Sequence, residues 1–155
     1  MPKVNQYRLK RENGIDEPLV FIVDDDDSMR NSIQRLVRSF GFRTASFSSA
    51  RDFLNSPHDE DRACLLLDVR MPGMDGLDLQ RLLSQSRNRL PIIFVTGHAK
   101  DVEKSRALRA GAVAFLHKPV SPEKLISAIK AALRRNWQDL SKAANGHVNQ
   151  ISSSN

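Results

Sequence analysis

One cysteine, one tryptophan and one tyrosine stand in a chain of 155 residues. A single cysteine excludes a disulfide within the chain, and Cys64, set in an apolar run, reads as a buried, inert thiol rather than a nucleophile or metal ligand. No hydrophobic run is long enough to cross a bilayer. The polar, mixed-charge stretch from Met1 to Glu17 has neither the apolar core of a secretory signal nor a lipid-anchor motif, so a cytoplasmic location is expected. The net charge is +6, yet Lys and Arg are scattered and no aromatic or glycine pattern of an RNA-binding module accompanies them. The charge therefore reads as solubility with a bias towards acidic partners. His58 has no second ligand type near it at metal spacing and reads as a solvated loop residue.

What is present is ordinary for a globular protein: 40% hydrophobic and 27% charged residues, with length for one well-buried core. Residues 1–18 lack sustained periodicity and contain Asn13-Gly14, which predicts a flexible extension. A folded domain is expected over 19–135, and residues 136–155 as a helix extension that gives way beyond Ser141 to a disordered tail. Within the domain, short β-rich runs at 19–23, 43–47, 63–68, 91–96 and 112–117 alternate with helical spacings. Ile33, Leu36, Val37 and Phe40 mark the first helix, with Asp27 or Ser28 as its cap and Gly41 ending it. Ser48 or Ser49 caps a brief second helix; Leu79, Leu82 and Leu83 mark the third. The fourth, over 100–110, has a thin stripe of Val102, Leu108 and alanines, which marks it as a part that moves. Ser121-Pro122-Glu123 starts the fifth, packed through Leu125, Ile129, Ala132 and Leu133.

Five strands alternating with five helices predict an α/β fold, a doubly wound parallel sheet in the flavodoxin-like order 2-1-3-4-5. That order puts the switch point between the first and third strands. Asp24 and Asp25, the first carboxylates after one apolar strand, then converge with Asp68, which ends another. Thr96 and Lys118, ending the fourth and fifth strands, complete a set of three carboxylates, a hydroxyl and an ammonium. Three carboxylates suit a hard cation such as Mg²⁺, which neutralises phosphoryl oxygens, and a nucleophilic Asp68 would form an acyl phosphate.

From about Pro18 to Leu133 the chain resembles the receiver domain of bacterial two-component response regulators, in the version usually joined to DNA-binding output domains of the FixJ/LuxR type. The motifs are Ile-Val-Asp-Asp-Asp (22–26), Leu-Leu-Asp-Val-Arg-Met-Pro-Gly-Met-Asp-Gly (66–76), Ile-Ile-Phe-Val-Thr-Gly-His (92–98) and Gly-Ala-Val-Ala-Phe-Leu-His-Lys-Pro (111–119). The resemblance implies Asp68 as phosphoacceptor, with Mg²⁺ (or Mn²⁺) held by Asp68, Asp25, Asp24 through water and the Arg70 backbone carbonyl. It implies phosphate contacts from Thr96, Lys118 and the backbone N–H groups of Val69 and Gly97. Phe115 would be an aromatic switch that turns inward when Thr96 moves, and Lys118-Pro119 a cis bond. Arg70 and His98 fall where the family tunes dephosphorylation. The implied partners are a sensor histidine kinase or phosphotransfer protein, and a second copy through the fourth helix, fifth strand and fifth helix.

Taken singly, Lys118 reads equally as an exposed lysine, Phe115 as a core strand residue, Thr96 as a strand residue or helix cap, and Arg70 and His98 as a solvated pair. A rival is a Mg²⁺-dependent phosphatase of the haloacid dehalogenase type, with Asp24 as nucleophile, since Asp24 to Ser28 satisfies Asp-x-Asp-x-Ser. That reading leaves Asp68 idle. No helix-turn-helix is readable after Trp137, so a stand-alone receiver or a fragment of a DNA-binding regulator is expected.

Overall fold

A computed structural model describes residues 17–57, 62–86 and 88–151. The extension over 1–16, His58 and residues 152–155 lie outside the described residues. Five strands, β1 (Leu19–Val23), β2 (Arg43–Phe47), β3 (Ala63–Leu67), β4 (Ile92–Thr96) and β5 (Ala114–His117), form one parallel sheet in the order β2-β1-β3-β4-β5. Five helices alternate with them: α1 (Asp27–Ser39), α2 (Ala50–Asn55), α3 (Gly76–Gln85), α4 (Asp101–Arg109) and α5 (Pro122–Ile151). The fold is the flavodoxin-like one that the alternation predicts.

Strands covered on both faces carry unbroken apolar runs, and successive side chains feed two separate cores. Phe21, Val23, Leu65, Leu67 and Phe94 pack with Phe53 and Leu79 on one face. Val20, Ile22, Leu66 and Ile93 pack with Ile33, Val37, Leu125 and Ile129 on the other. Cys64 lies in the second core, where burial pushes its thiol up to about 12.

Several local expectations are corrected. Asp26, not Asp27 or Ser28, caps α1: its backbone is still extended (φ −78°, ψ 110°) and its carboxylate accepts from Met29 N–H. Ser49 is the cap of α2. Phe40 and Leu82 share the helical spacing of their neighbours yet are exposed, because a helix on a sheet buries a stripe narrower than its apolar residues could fill. In α4 the supposed stripe residues Val102 and Leu108 face outward and Ala107 alone is buried. What holds that helix is polar: the Gln80 amide, itself buried, donates to the Ala107 carbonyl at 2.9 Å.

α5 runs well past Ser141 to Ile151, where the composition predicts disorder. A helix anchored by packed early turns has already met its nucleation cost, so weaker helix formers can extend it. It also touches the base of the sheet. Asn136, nearly fully buried, accepts from the Arg62 N–H at 3.0 Å, and the Arg62 guanidinium sits 5.4 Å from the Trp137 ring.

Candidate functional site

β1 and β3 are neighbours in register, with Val23 opposite Leu67. The residues that follow continue the ladder: Asp68 N–H donates to the Val23 carbonyl at 3.1 Å, and Asp24 N–H to that of Phe47 at 3.2 Å. Two carboxylates are thereby held beside each other at the carboxyl edge of the sheet, where the connections from β1 and β3 leave in opposite directions. Asp24, Asp25 and Asp68 place carboxylate oxygens within 4.8 Å of one another, the one such acidic group among the described residues. Asp24 and Asp68 are buried and Asp25 is exposed.

Lys118 enters from the far end of the sheet. Its N–H donates to the Thr96 carbonyl, and its ammonium reaches Asp24 Oδ2 at 2.7 Å and Asp68 Oδ2 at 3.1 Å. The Lys118-Pro119 bond is cis. Arg30, from α1, donates to the Asp24 carbonyl at 2.7 Å and pairs with Asp27. The turn carrying Asp24 is thus fixed from both sides, since Asp24 Oδ1 also accepts from Asp26 N–H.

Thr96 is fully buried, its hydroxyl 3.4 Å from the His98 carbonyl, and His98 itself is exposed beside exposed Gly97. Phe115 is already inside, 7% exposed, with its ring 5.6 Å from that of Phe94. The structure therefore gives the inward position of the residue that the resemblance makes a switch. Arg70 divides: its N–H lies 3.3 Å from Asp68 Oδ1, but its guanidinium pairs with Glu103 of α4 at 2.8 Å. Val69, buried between them, accepts from Gly76 N–H at 2.9 Å.

The electrostatics follow from burial. Loss of solvent raises the Asp24 carboxyl above its ordinary 3.8, and hydrogen bonds from Lys118 and Asp26 N–H offset this only in part. Burial alone would lower Lys118. Its hydrogen bond to Asp24 and the charges of Asp24 and Asp68 outweigh that, so the ammonium titrates above 10.5. A carboxyl raised in the fold adds stability that is complete below 3.8 and is lost as pH rises through its folded value. The raised ammonium adds stability that is complete below 10.5 and is lost on titrating it. In chelator-treated protein, the stability of wild type relative to Asp24→Asn is expected to fall as pH climbs from below 3.8. Thermal melts showing a constant difference across that interval would refute the assignment.

Arg30, Glu103 and Gln80 were not singled out from sequence. Only Arg30 leaves a signal there, as the basic residue three positions after Asp27 on one helix face. The haloacid dehalogenase alternative finds no support. That scheme leaves Asp68 idle, whereas the structure makes Asp68 share the Lys118 ammonium with Asp24.

Comparison with known proteins agrees. The response regulator receiver domain family matches residues 20–130. Nodulation protein W of Bradyrhizobium diazoefficiens is 45% identical over 118 residues, 76% of this chain and 52% of that protein. Response regulator protein TodT of Pseudomonas putida is 44% identical over 125 residues, 81% of this chain and 55% of that one. The chain spans about half the length of these curated relatives. Among solved structures, response regulator StyR superposes with a TM-score of 0.80 at 39% identity, covering 89% of this chain and 70% of that one. FixJ-N gives 0.69 at 32% identity, covering 77% and 96%. A matched fold, a strand-end acidic cluster and relatives of this kind carry one conclusion: the chain belongs to the response regulator receiver domain family.

Proposed function

We propose that the chain is a phosphorylation-dependent signalling receiver which takes a phosphoryl group onto Asp68 from the phosphohistidine of a sensor kinase or phosphotransfer protein. The observation that carries this is the single ammonium of Lys118 hydrogen-bonded to both Asp24 and Asp68 beside a third carboxylate. An Asp68 oxygen attacks phosphorus, the P–N bond breaks, and the imidazole leaves with the electron pair. Lys118 orients the acceptor carboxylate and draws the anionic donor. The Thr96 hydroxyl and the backbone N–H groups of Val69 and Gly97 receive the phosphoryl oxygens.

The donor set fits a hard divalent cation, since its side-chain ligands are all carboxylate oxygens close enough to share one ion. Asp24, Asp25, Asp68 and the Arg70 carbonyl would hold Mg²⁺ or Mn²⁺. When bound, the cation supplies positive charge to the phosphoryl oxygens.

Output runs through α4, β5 and α5, the face where exposed Val102 and Leu108 lie on a lightly anchored helix, with Thr96 and Phe115 as the switch pair, of which Phe115 already holds its inward position. That face docks a second copy or a downstream protein. Arg70 and His98 set the lifetime of the modification. Self-phosphorylation and slow autodephosphorylation are the extent of its catalysis. A cytoplasmic site of action is part of this reading, with the chain acting as a stand-alone receiver or as the receiver part of a DNA-binding transcriptional regulator; no helix among the described residues is long and apolar enough to cross a membrane.

Incubation with acetyl phosphate and Mg²⁺, followed by peptide mapping, is expected to place one phosphoryl group on Asp68, and a chelator to prevent it. Labelling on Asp24, or labelling indifferent to chelation, would overturn the reading.

A further inference from the structure

Arg70 lies two residues past Asp68, and its two ends have different partners. The backbone N–H meets Asp68 Oδ1, while the guanidinium is held by Glu103 Oε1 at 2.8 Å. The other oxygen of Glu103 accepts from the Lys100 N–H at 2.8 Å, in the first turn of α4. One carboxylate thus secures both the start of α4 and the arginine beside the phosphoacceptor. The Arg70 side chain is 53% exposed and that of Glu103 16%, so the pair is open to solvent on the arginine side, where the guanidinium can exchange partners. α4 has little else to hold it, with Ala107 as its one buried residue.

We propose that Glu103 is a positioning residue for the Asp68 site: it holds the Arg70 guanidinium away from Asp68 until a phosphoryl group there competes for it. This rests on the phosphoacceptor reading above and adds the residue that ties the phosphoacceptor loop to α4. A guanidinium forks onto carboxylate or phosphate alike. A phosphoryl group, with more than one negative charge, outcompetes a single carboxylate. The exchange leaves Glu103 without its cation and loosens the first turn of α4, the helix with least to lose.

On the phosphoryl group the guanidinium also obstructs hydrolysis. In that reaction a water oxygen bonds to phosphorus, the P–O bond to Asp68 breaks with its electron pair returning to the carboxylate, and a water proton passes to solvent. Arg70 bound to the phosphoryl oxygens crowds the approach of that water. Glu103, by competing for Arg70, shortens the lifetime of the modification.

Glu103→Gln keeps an acceptor for the Lys100 N–H and removes the charge that holds Arg70. After loading with acetyl phosphate and Mg²⁺ and removal of the donor, its aspartyl phosphate is expected to last about three-fold longer than that of the wild type. That of Arg70→Ala should decay faster, and Glu103→Gln should add nothing in the Arg70→Ala background, because it acts through the arginine. A lifetime unchanged by Glu103→Gln, or changed equally in both backgrounds, overturns the proposal. Amide hydrogen exchange gives a second readout: loading should speed exchange at Lys100, whose N–H is bonded to Glu103, and at Lys104, whose N–H is bonded to the Lys100 carbonyl, in the wild type. No such acceleration in the wild type also overturns it. Failure of the wild type to take up phosphoryl at all would instead overturn the phosphoacceptor reading, which the labelling yield reports separately.

Discussion

Asp68→Asn is expected to abolish phosphoryl labelling while leaving the protein about as stable as the wild type. The amide keeps the shape of the carboxylate and turns its one oxygen to the Lys118 ammonium, giving up the longer 3.3 Å contact from the Arg70 N–H, which ends on the other oxygen. What it loses is the nucleophilic oxygen. The stability side follows from charge. Asp24 and Asp68 are buried at 3% and 8% exposure, exposed Asp25 lies in the same cluster, and the Lys118 ammonium is bonded to both buried groups. The charge of Asp68 is one of the influences raising the Asp24 carboxyl. Removing it relieves a like-charge contact with Asp24 and removes one of the two charges that hold the Lys118 ammonium, and the two effects offset each other. Addition of Mg²⁺ should in turn raise the melting temperature of the variant less than that of the wild type, since one ligand charge is gone. Phosphoryl uptake by the variant at the wild-type level would remove Asp68 from its role.

The same carboxylates were the most legible part of the chain. Asp24 and Asp68 are each the first polar residue after an apolar run of strand length, and alternation of strands with helices supplies the sheet order that puts their ends together. Lys118, just past β5, and Thr96, closing β4, were placed at the same edge by that order, but their phosphate-binding roles came from the family resemblance, since each alone reads equally as an exposed lysine or a strand residue. The placement of the strand ends needs only the local pattern and one topological rule.

What was illegible depends on where a helix lies in space. Glu103 is one of several charges on α4, and nothing within that helix says that it faces Arg70 of another loop. Gln80 sits among leucines of α3, yet it is buried because the carbonyl of Ala107 passes close to it. Asn136 lies in a polar stretch of α5 and is buried because that helix crosses the start of β3 at Arg62, whose backbone takes a positive φ of 53°. The misjudged stripe of α4 belongs here too. Spacing identified the helix but could not say whether Val102 or Ala107 points inward, since both recur at a period that suits more than one face.

Gly76→Ala is expected to be the most damaging small substitution in the chain, and its effect is steric. Gly76 opens α3 directly beneath Asp68, with its N–H on the Val69 carbonyl. A methyl group added there would lie 2.1 Å from the Asp68 carbonyl oxygen, 3.0 Å from its carbon and 3.1 Å from Phe94 Cε1. The first two are backbone atoms at the end of a strand whose ladder holds them in place through the Asp68–Val23 bond. Neither can rotate away as a side chain would. Relief requires α3 to move outward from Leu67 and Phe94, which opens packing in the larger core. The expected cost is about 3 kcal/mol or more in urea denaturation, at the upper end of overpacking effects. Gly73, in the same loop, separates the causes. An added methyl there meets nothing within 4 Å, and only its φ of +77° disfavours a side chain, so Gly73→Ala should cost about 1 kcal/mol. Because Gly76 presses on Asp68 itself, its alanine variant should also label more slowly at temperatures where it remains folded, whereas Gly73→Ala should label normally. Equal unfolding midpoints for the two variants would mean that the close approach of α3 to Asp68 is not what holds that residue in place.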